Sequence, residues 1–141
     1  MKGALLFLSV WGLAVGTAHA QTCLHGPNES AEQAARKREA LTAARSINTL
    51  QANQPGNRLN QFLSYEQLDT SPFASQMRKS TNDTVKSISL TPGTDILPNW
   101  QLTLDVTPQG YWFMIKDKSD PCGFAYISNQ HGVIYNAEVI R

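Results

Sequence analysis

The stretch WQLTLDVTPQGYWFMI, residues 100–115, decides the fold of this chain. Over residues 100–106 large apolar residues alternate with polar ones, which is the period of a strand that buries one face. Residues 107–110 read TPQG, with proline second and glycine fourth, an order typical of a β-turn. The chain then returns through the apolar run of residues 111–115. This stretch therefore predicts an antiparallel hairpin.

Two further strands are predicted after the hairpin. Residues 116–123 are rich in Asp, Ser, Pro and Gly, the composition of a loop, and residues 124–127 form a third apolar segment. The sequence NQHG at 129–132 predicts a turn, and residues 133–139 predict a fourth strand. We expect the C-terminal part of the chain to fold as a four-stranded antiparallel meander.

One long helix is predicted upstream of the hairpin. Ser30 and Gln33 have the spacing of a capping box, in which each side chain bonds to the other residue's backbone. Residues 31–53 contain no Gly or Pro, and Pro55-Gly56 ends the helix. A long helix followed by an antiparallel meander predicts the α+β class. The apolar stripe of the helix consists of Ala40, Ala43, Ala44, Ile47 and Leu50.

The pattern between the helix and the hairpin is weaker. Tyr65–Leu68 predicts a helical turn, and the alternation in Val85–Leu90 predicts a short strand. Proline and glycine residues punctuate the rest of this segment, which therefore predicts a loop-rich connection.

The N-terminus has the three parts of a secretory signal peptide. Lys2 precedes a short apolar run, and Ala18-His19-Ala20 carries small residues at both positions that define the cleavage site. The apolar run is shorter than the roughly 20 residues of a membrane span. We therefore expect residues 1–20 to be a signal peptide cleaved after Ala20. Residues 21–141 would then form a single domain, secreted or periplasmic.

The chain contains two cysteines, Cys23 and Cys122. Thr22 stands where a lipoprotein has a smaller residue before its lipidated cysteine, so a lipid anchor is disfavoured. The two cysteines do not form a C-x-x-C motif, which disfavours a redox centre. A secreted chain with two cysteines most simply forms one disulfide. In the chain-entropy model such a long-range bond contributes about 4–5 kcal/mol of stability.

The charge balance and the motifs exclude several classes of function. Without Lys2 the mature chain has equal numbers of acidic and basic residues, so neither nucleic acid nor an anionic membrane surface is expected as a partner. The G-x-S-x-G, H-E-x-x-H and P-loop motifs do not occur in the sequence. We therefore predict no enzymatic activity, no catalytic residue and no cofactor.

Four polar residues are candidates for a metal site or for catalysis. His25 lies in the N-terminal segment and His131 in a hairpin turn, with no carboxylate at ligand spacing from either. We interpret both as exposed turn residues and predict no metal site, although capture of copper or zinc by His25 with the N-terminus stays open. Asp117 and Asp120, in DKSDPCG, suit either a calcium loop or a polar turn, and the turn-forming composition favours the turn.

The aromatic residues of the meander offer a candidate surface. Residues 111–115 have no polar face, so the strand is either covered on both sides or carries one exposed aromatic stripe. In the second case Tyr111, Trp112 and Tyr126 are the candidates for a ligand or partner surface.

Three segments resemble those of type IV pilin-like proteins and of the pseudopilins of type II secretion. They are AARSINTLQAN at 43–53, YEQL at 65–68 and GFAYISNQHGVIYNAE at 123–138. The resemblance implies a long helix packed on a four-stranded antiparallel sheet. The chain lacks the family's prepilin peptidase site and its hydrophobic N-terminal helix. It therefore resembles a soluble relative that cannot build a fibre through the family's usual contacts.

These observations lead to three hypotheses. The first is a secreted or periplasmic, non-enzymatic, pilin-like protein-interaction domain, whose partner is a protein of the cell envelope or the extracellular space. The alternative is a small-ligand-binding protein that uses the aromatic surface of the C-terminal sheet. The third is a small secreted hydrolase or inhibitor, which requires side chains that converge on His131 or Asp120.

Overall fold

The computed structural model of the protein describes residues 22–53 and 61–138. The expected signal peptide and its cleavage site lie outside the described residues. The helices are α1 (Ala31–Ala52), α2 (Tyr65–Thr70), α3 (Pro72–Arg78) and α4 (Asp83–Ser87), and the strands are β1 (Trp100–Thr107), β2 (Gly110–Asp117), β3 (Ala125–Asn129) and β4 (Ile134–Ala137).

Helix α1 begins and ends where the sequence predicts. Ser30 Oγ accepts the backbone N–H of Gln33, and the Ser30 N–H donates to Gln33 Oε1 at 2.7 Å, so the capping box is formed. The predicted apolar stripe of the helix, from Ala40 to Leu50, is fully buried. Its alanines let the helix lie close to the sheet, where Asn48 Nδ2 donates to Ser128 Oγ on β3 at 2.9 Å.

The three short helices between α1 and the sheet each begin at a polar cap. Ser64, Ser71 and Asn82 accept a first-turn N–H of α2, α3 and α4 respectively. The predicted helical turn at residues 65–68 is confirmed as part of α2. The predicted strand over Val85–Leu90 is wrong, because the Asn82 cap starts a helical turn that reaches Ser87, and only the following residues are extended.

The C-terminal half forms the predicted antiparallel meander. The strands follow one another in the order β1-β2-β3-β4, and each pairs antiparallel with the next. The first hairpin closes at Thr107 and Gly110, as the TPQG turn predicts. The chain is therefore α+β, with one long helix and one four-stranded antiparallel sheet.

The two faces of the sheet have different surroundings. The inner face carries Trp100, Phe113 and Ile115, which are buried in one core with the apolar stripe of α1. The outer face carries the alternate residues of each strand, among them Trp112. Within residues 22–53 and 61–138, no helix is both long and apolar enough to cross a membrane.

Candidate interaction surface and a buried polar cluster

The outer face of the sheet displays a band of apolar side chains, which we name the outer-face stripe. It comprises Trp112, Met114, Ile127 and Tyr135. Met114 pairs with Ile127, and Ile127 pairs with Tyr135, so these three side chains form one row across β2, β3 and β4. Trp112 is 42% exposed and Tyr135 is 58% exposed, while Met114 and Ile127 are half-buried. Apolar side chains that lie together on one exposed face are a candidate contact surface.

A hydrogen bond to the neighbouring strand holds the indole of Trp112. Trp112 Nε1 donates to Asp105 Oδ2 at 3.2 Å, and the two residues are directly opposite each other in the β1–β2 ladder. The bond favours an orientation of the ring that leaves much of the indole at the surface. A large side chain that is already ordered loses little entropy when a partner binds it.

Of the three predicted surface aromatics, Trp112 alone is exposed. Tyr111 is 5% exposed and Tyr126 is 4% exposed, because their positions in the strands place them on the inner face. Burial raises the pKa of each phenol to about 12. Tyr111 donates its hydroxyl to Asn48 Oδ1 at 2.9 Å. This burial removes Tyr111 and Tyr126 from the outer face of the sheet, and Tyr135 is the exposed ring on that face that the sequence reasoning missed.

A disulfide joins Cys23 to Cys122, with the two Cα atoms 5.2 Å apart. It attaches the segment that precedes α1 to the loop between β2 and β3. Asp120 organises the same junction, since Oδ1 accepts the N–H of Leu24 at 2.9 Å and Oδ2 accepts the N–H of Phe124 at 3.1 Å. Asp120 is thus a buried turn residue, which agrees with the turn interpretation of DKSDPCG.

His25 lies in the core rather than at the surface. Its ring is 4.7 Å from the ring of Phe124 and 5.7 Å from that of Trp100, between centroids. Nε2 donates to Asp117 Oδ2 at 2.9 Å, and Nδ1 is 3.5 Å from Glu29 Oε2. The interpretation of His25 as an exposed turn residue is therefore wrong, because the disulfide two residues earlier draws this segment against the sheet.

Asp117 is the centre of this buried cluster. Oδ1 accepts the N–H of Ser119 at 2.8 Å and its hydroxyl at 2.5 Å, while Oδ2 accepts from His25. Desolvation by burial raises the pKa of Asp117, but the hydrogen bonds from Ser119 and His25 and the charge of Arg36 outweigh burial, and the pKa lies below its usual value.

The order of the groups in this cluster decides its chemistry. A serine nucleophile needs its hydroxyl on the imidazole and the carboxylate on the other ring nitrogen. Here Ser119 and His25 both bond to Asp117, so the carboxylate stands in the middle. Asp117 accepts the hydrogen bonds of both residues and so holds their two segments of the chain together. The three residues do not form a Ser–His–Asp relay.

His131 lies at the rim of a cavity of about 500 Å³. The residue is exposed in the turn after β3, and its N–H donates to Asn129 Oδ1 at 3.0 Å. Among the described residues, no Asp, Glu, Lys or Arg lines this cavity, so none of their carboxylates converges on His131 there. The described residues contain no group of three His, Cys, Asp or Glu side chains placed to hold a metal ion. The cavity is lined by Asn48, Thr49, Ala52, Phe62, Gln109, Tyr111, Gln130, His131 and Gly132.

No protein-family model matches the chain, and neither a curated protein nor a solved structure matches it at a significant level.

Proposed function

We propose that this protein is a secreted or periplasmic, non-enzymatic protein-interaction domain with a pilin-like fold. Its outer-face stripe binds an apolar surface of another protein of the cell envelope or the extracellular space. The observation that carries this proposal is the exposure of Trp112 and Tyr135 on one face of the sheet.

The shape of the stripe favours a protein over a small molecule as the ligand. Small-molecule sites are concave and enclose most of the ligand, whereas a sheet face is an open surface. Flat apolar surfaces with ordered aromatic side chains are typical of protein interfaces, where Trp and Tyr contribute most of the binding energy. Trp112 is hydrogen-bonded to Asp105, and Tyr135 stands exposed on the edge strand β4.

Two observations support an oxidising location. The Cys23–Cys122 disulfide is of the kind that persists outside the cytosol. The first 20 residues carry the charge, apolar run and small residues of a signal peptide. Together they favour secretion or release into a periplasm.

The pilin-like assignment is supported by where the resembling segments lie. Residues 43–53 include the C-terminal half of α1, and residues 123–138 include the β3–β4 hairpin. These are the positions that the resemblance implies for them. The order of one long helix and then a four-stranded antiparallel meander is also the order in that family.

Affinity capture with paired variants tests this proposal. The tagged protein is captured from its native host after crosslinking, in parallel with Trp112→Ala, Tyr135→Ala and Gln101→Ala. Gln101 is exposed on the outer face of β1, away from the stripe, and is the matched control. The proposal requires a captured protein that both stripe variants lose and Gln101→Ala keeps. A captured set that is the same in all four samples contradicts it.

The cavity beside His131 favours a second candidate function, the binding of a small uncharged polar ligand. Its volume lies within the range of small-molecule sites. Its lining combines the amides of Gln109 and Gln130 with the rings of Phe62 and Tyr111. Saturation-transfer NMR with neutral mono- and disaccharides tests it. Signals that Gln109→Ala abolishes would support this candidate, and the absence of transfer from every sugar would exclude it.

A further inference from the structure

Strand β1 is a long edge strand whose outward backbone groups have no partner among residues 22–53 and 61–138. In β2, the Asp117 N–H donates to Phe124 O and Tyr111 O accepts from Gln130 N, so the odd-numbered residues of β2 point toward β3. The even-numbered residues of β2 therefore bond to β1, where they face residues 101, 103, 105 and 107. By alternation, the N–H and C=O groups of residues 102, 104 and 106 point away from the sheet.

These outward groups are free throughout the described part of the chain. None of the N–H or C=O groups of Leu102, Leu104 and Val106 hydrogen-bonds to another residue there. Free backbone groups on an edge strand form a template for another strand. The other edge strand, β4, has four residues, whereas β1 has eight.

Most of the usual devices that protect an edge strand are missing from β1. Residues 100–107 contain no Lys and no Pro, and their pairing with β2 runs without a bulge. Asp105 is the one charged residue of the strand. Leu104 and Val106 are half-buried on the inner face and leave apolar surface beside the free edge. A strand with these properties is expected to be covered by another strand.

We propose that β1 pairs antiparallel with β1 of a second copy of this chain, about a two-fold axis through Leu104. The pairing sets Leu102 opposite Val106 of the second copy and Leu104 opposite its own equivalent. All three outward positions then exchange backbone hydrogen bonds, and the two sheets become one continuous sheet. This contact uses the edge of the sheet, and it does not depend on the proposed function of the outer-face stripe.

The ends of the strand select this register. The smallest shift toward the N-terminus sets Val106 opposite Trp100, whose N–H and C=O already bond to Leu97 and Ile96. The smallest shift toward the C-terminus sets Leu102 opposite Pro108, which has no N–H to donate. The register centred on Leu104 is the one in which every facing backbone group is available on both copies.

The side chains fit the same register. On the outer face Thr103 stands opposite Asp105 of the second copy, and Gln101 stands opposite Thr107. No two like charges face each other, so the surface is complementary to itself, as a two-fold contact requires. On the inner side the half-buried Leu104 and Val106 meet apolar residues of the second copy and become covered.

Charge variants at Thr103 test the register by analytical ultracentrifugation over a wide concentration range. Wild type is expected to show a reversible monomer–dimer equilibrium. Thr103→Asp sets two carboxylates opposite each other twice per dimer, and the dimer dissociation constant is expected to rise roughly tenfold. Adding Asp105→Lys to Thr103→Asp turns both repulsions into attractions. The dimer dissociation constant of this double variant is expected to be equal to or lower than that of Asp105→Lys alone.

Two controls make the outcome decisive. Gln101→Asp introduces the same charge on the same face but opposite Thr107, so its dissociation constant should stay within about twofold of wild type. Amide hydrogen exchange of unmodified protein should show protection of Leu102, Leu104 and Val106 that rises with concentration. Wild type that stays monomeric at every concentration overturns the proposal. Equal effects of Thr103→Asp and Gln101→Asp, or failure of Asp105→Lys to restore dimerisation, also overturn it.

Discussion

His25 Nε2 lies 2.9 Å from Asp117 Oδ2, and the side chains of both residues are 1% exposed. The bond connects the segment before α1 with the last residue of β2, next to the disulfide. The N-terminal segment is therefore held by a covalent bond and by a buried hydrogen bond, and the two constraints act on the same junction. This junction keeps α1 against the sheet whose outer face we propose as the contact surface.

Asp117 is expected to contribute strongly to stability. Asp117→Ala leaves Nε2 of His25 buried without an acceptor and removes the acceptor of two hydrogen bonds from Ser119, so the free energy of unfolding should fall by about 3 kcal/mol. Lys118→Ala is the matched control, because Lys118 forms an exposed ion pair with Asp95 and its loss should cost less than about 1 kcal/mol. Urea denaturation followed by circular dichroism measures both. Equal losses for the two variants would show that the buried cluster has no special role.

The lowered pKa of Asp117 predicts the sign of the acid dependence of stability. In the unfolded chain Asp has its usual pKa of about 3.9, above that of the folded state, so the unfolded state takes up the proton first. The contribution of Asp117 is complete above about pH 5 and decreases as the pH falls through the folded-state pKa. Glu29 acts in the same direction, because its hydrogen bond with Lys37 lowers its pKa. In Asp117→Asn the free energy of unfolding, measured by urea titration, should depend less on pH between about pH 5 and pH 2 than in wild type. An unchanged pH dependence would contradict the assignment.

The Cys23–Cys122 disulfide is expected to stabilise the folded state. Replacing both cysteines with serine should lower the free energy of unfolding by about 2–5 kcal/mol, since the bond constrains the unfolded chain. Thiol titration of the denatured, unreduced protein should detect no free thiol. Reactive thiols in that sample, or a variant as stable as wild type, would refute this prediction.

The neighbouring residues Trp112 and Phe113 should respond differently to truncation. Phe113 is fully buried on the inner face, so Phe113→Ala should cost about 3–5 kcal/mol. Trp112 is 42% exposed on the outer face, so Trp112→Ala should cost less than Phe113→Ala, through the loss of partial burial and of its bond to Asp105. Thermal and urea unfolding measure both. A larger loss for Trp112→Ala than for Phe113→Ala would reverse the assignment of the two faces.

Local signals were sufficient to predict α1 and the meander. The Ser30 capping box, the apolar stripe from Ala40 to Leu50 and the TPQG turn each specify structure within a few residues. The helix at Asp83–Ser87 was missed because five residues are too few to distinguish a helical from an alternating pattern. In that segment the single Asn82 cap decides the conformation.

The candidate site depended on contacts that local patterns do not contain. The burial of His25 follows from a disulfide between residues far apart in sequence, so no nearby residue indicates it. The run from Tyr111 to Ile115 is apolar on both faces, and the sequence therefore could not say which ring faces outward. Tyr135 is exposed because β4 is a short edge strand whose outer side no described element covers.

Site-specific photo-crosslinking in the native host tests the central proposal most directly. A photoreactive amino acid is placed at position 135, in the outer-face stripe, and in a second sample at position 38, on the exposed side of α1. The account predicts a crosslink from position 135 to one defined envelope or extracellular protein, no such crosslink from position 38, and its loss on Trp112→Ala. Crosslinks that are identical from both positions, or a crosslink from position 135 that survives Trp112→Ala, would contradict the outer-face stripe as the binding surface.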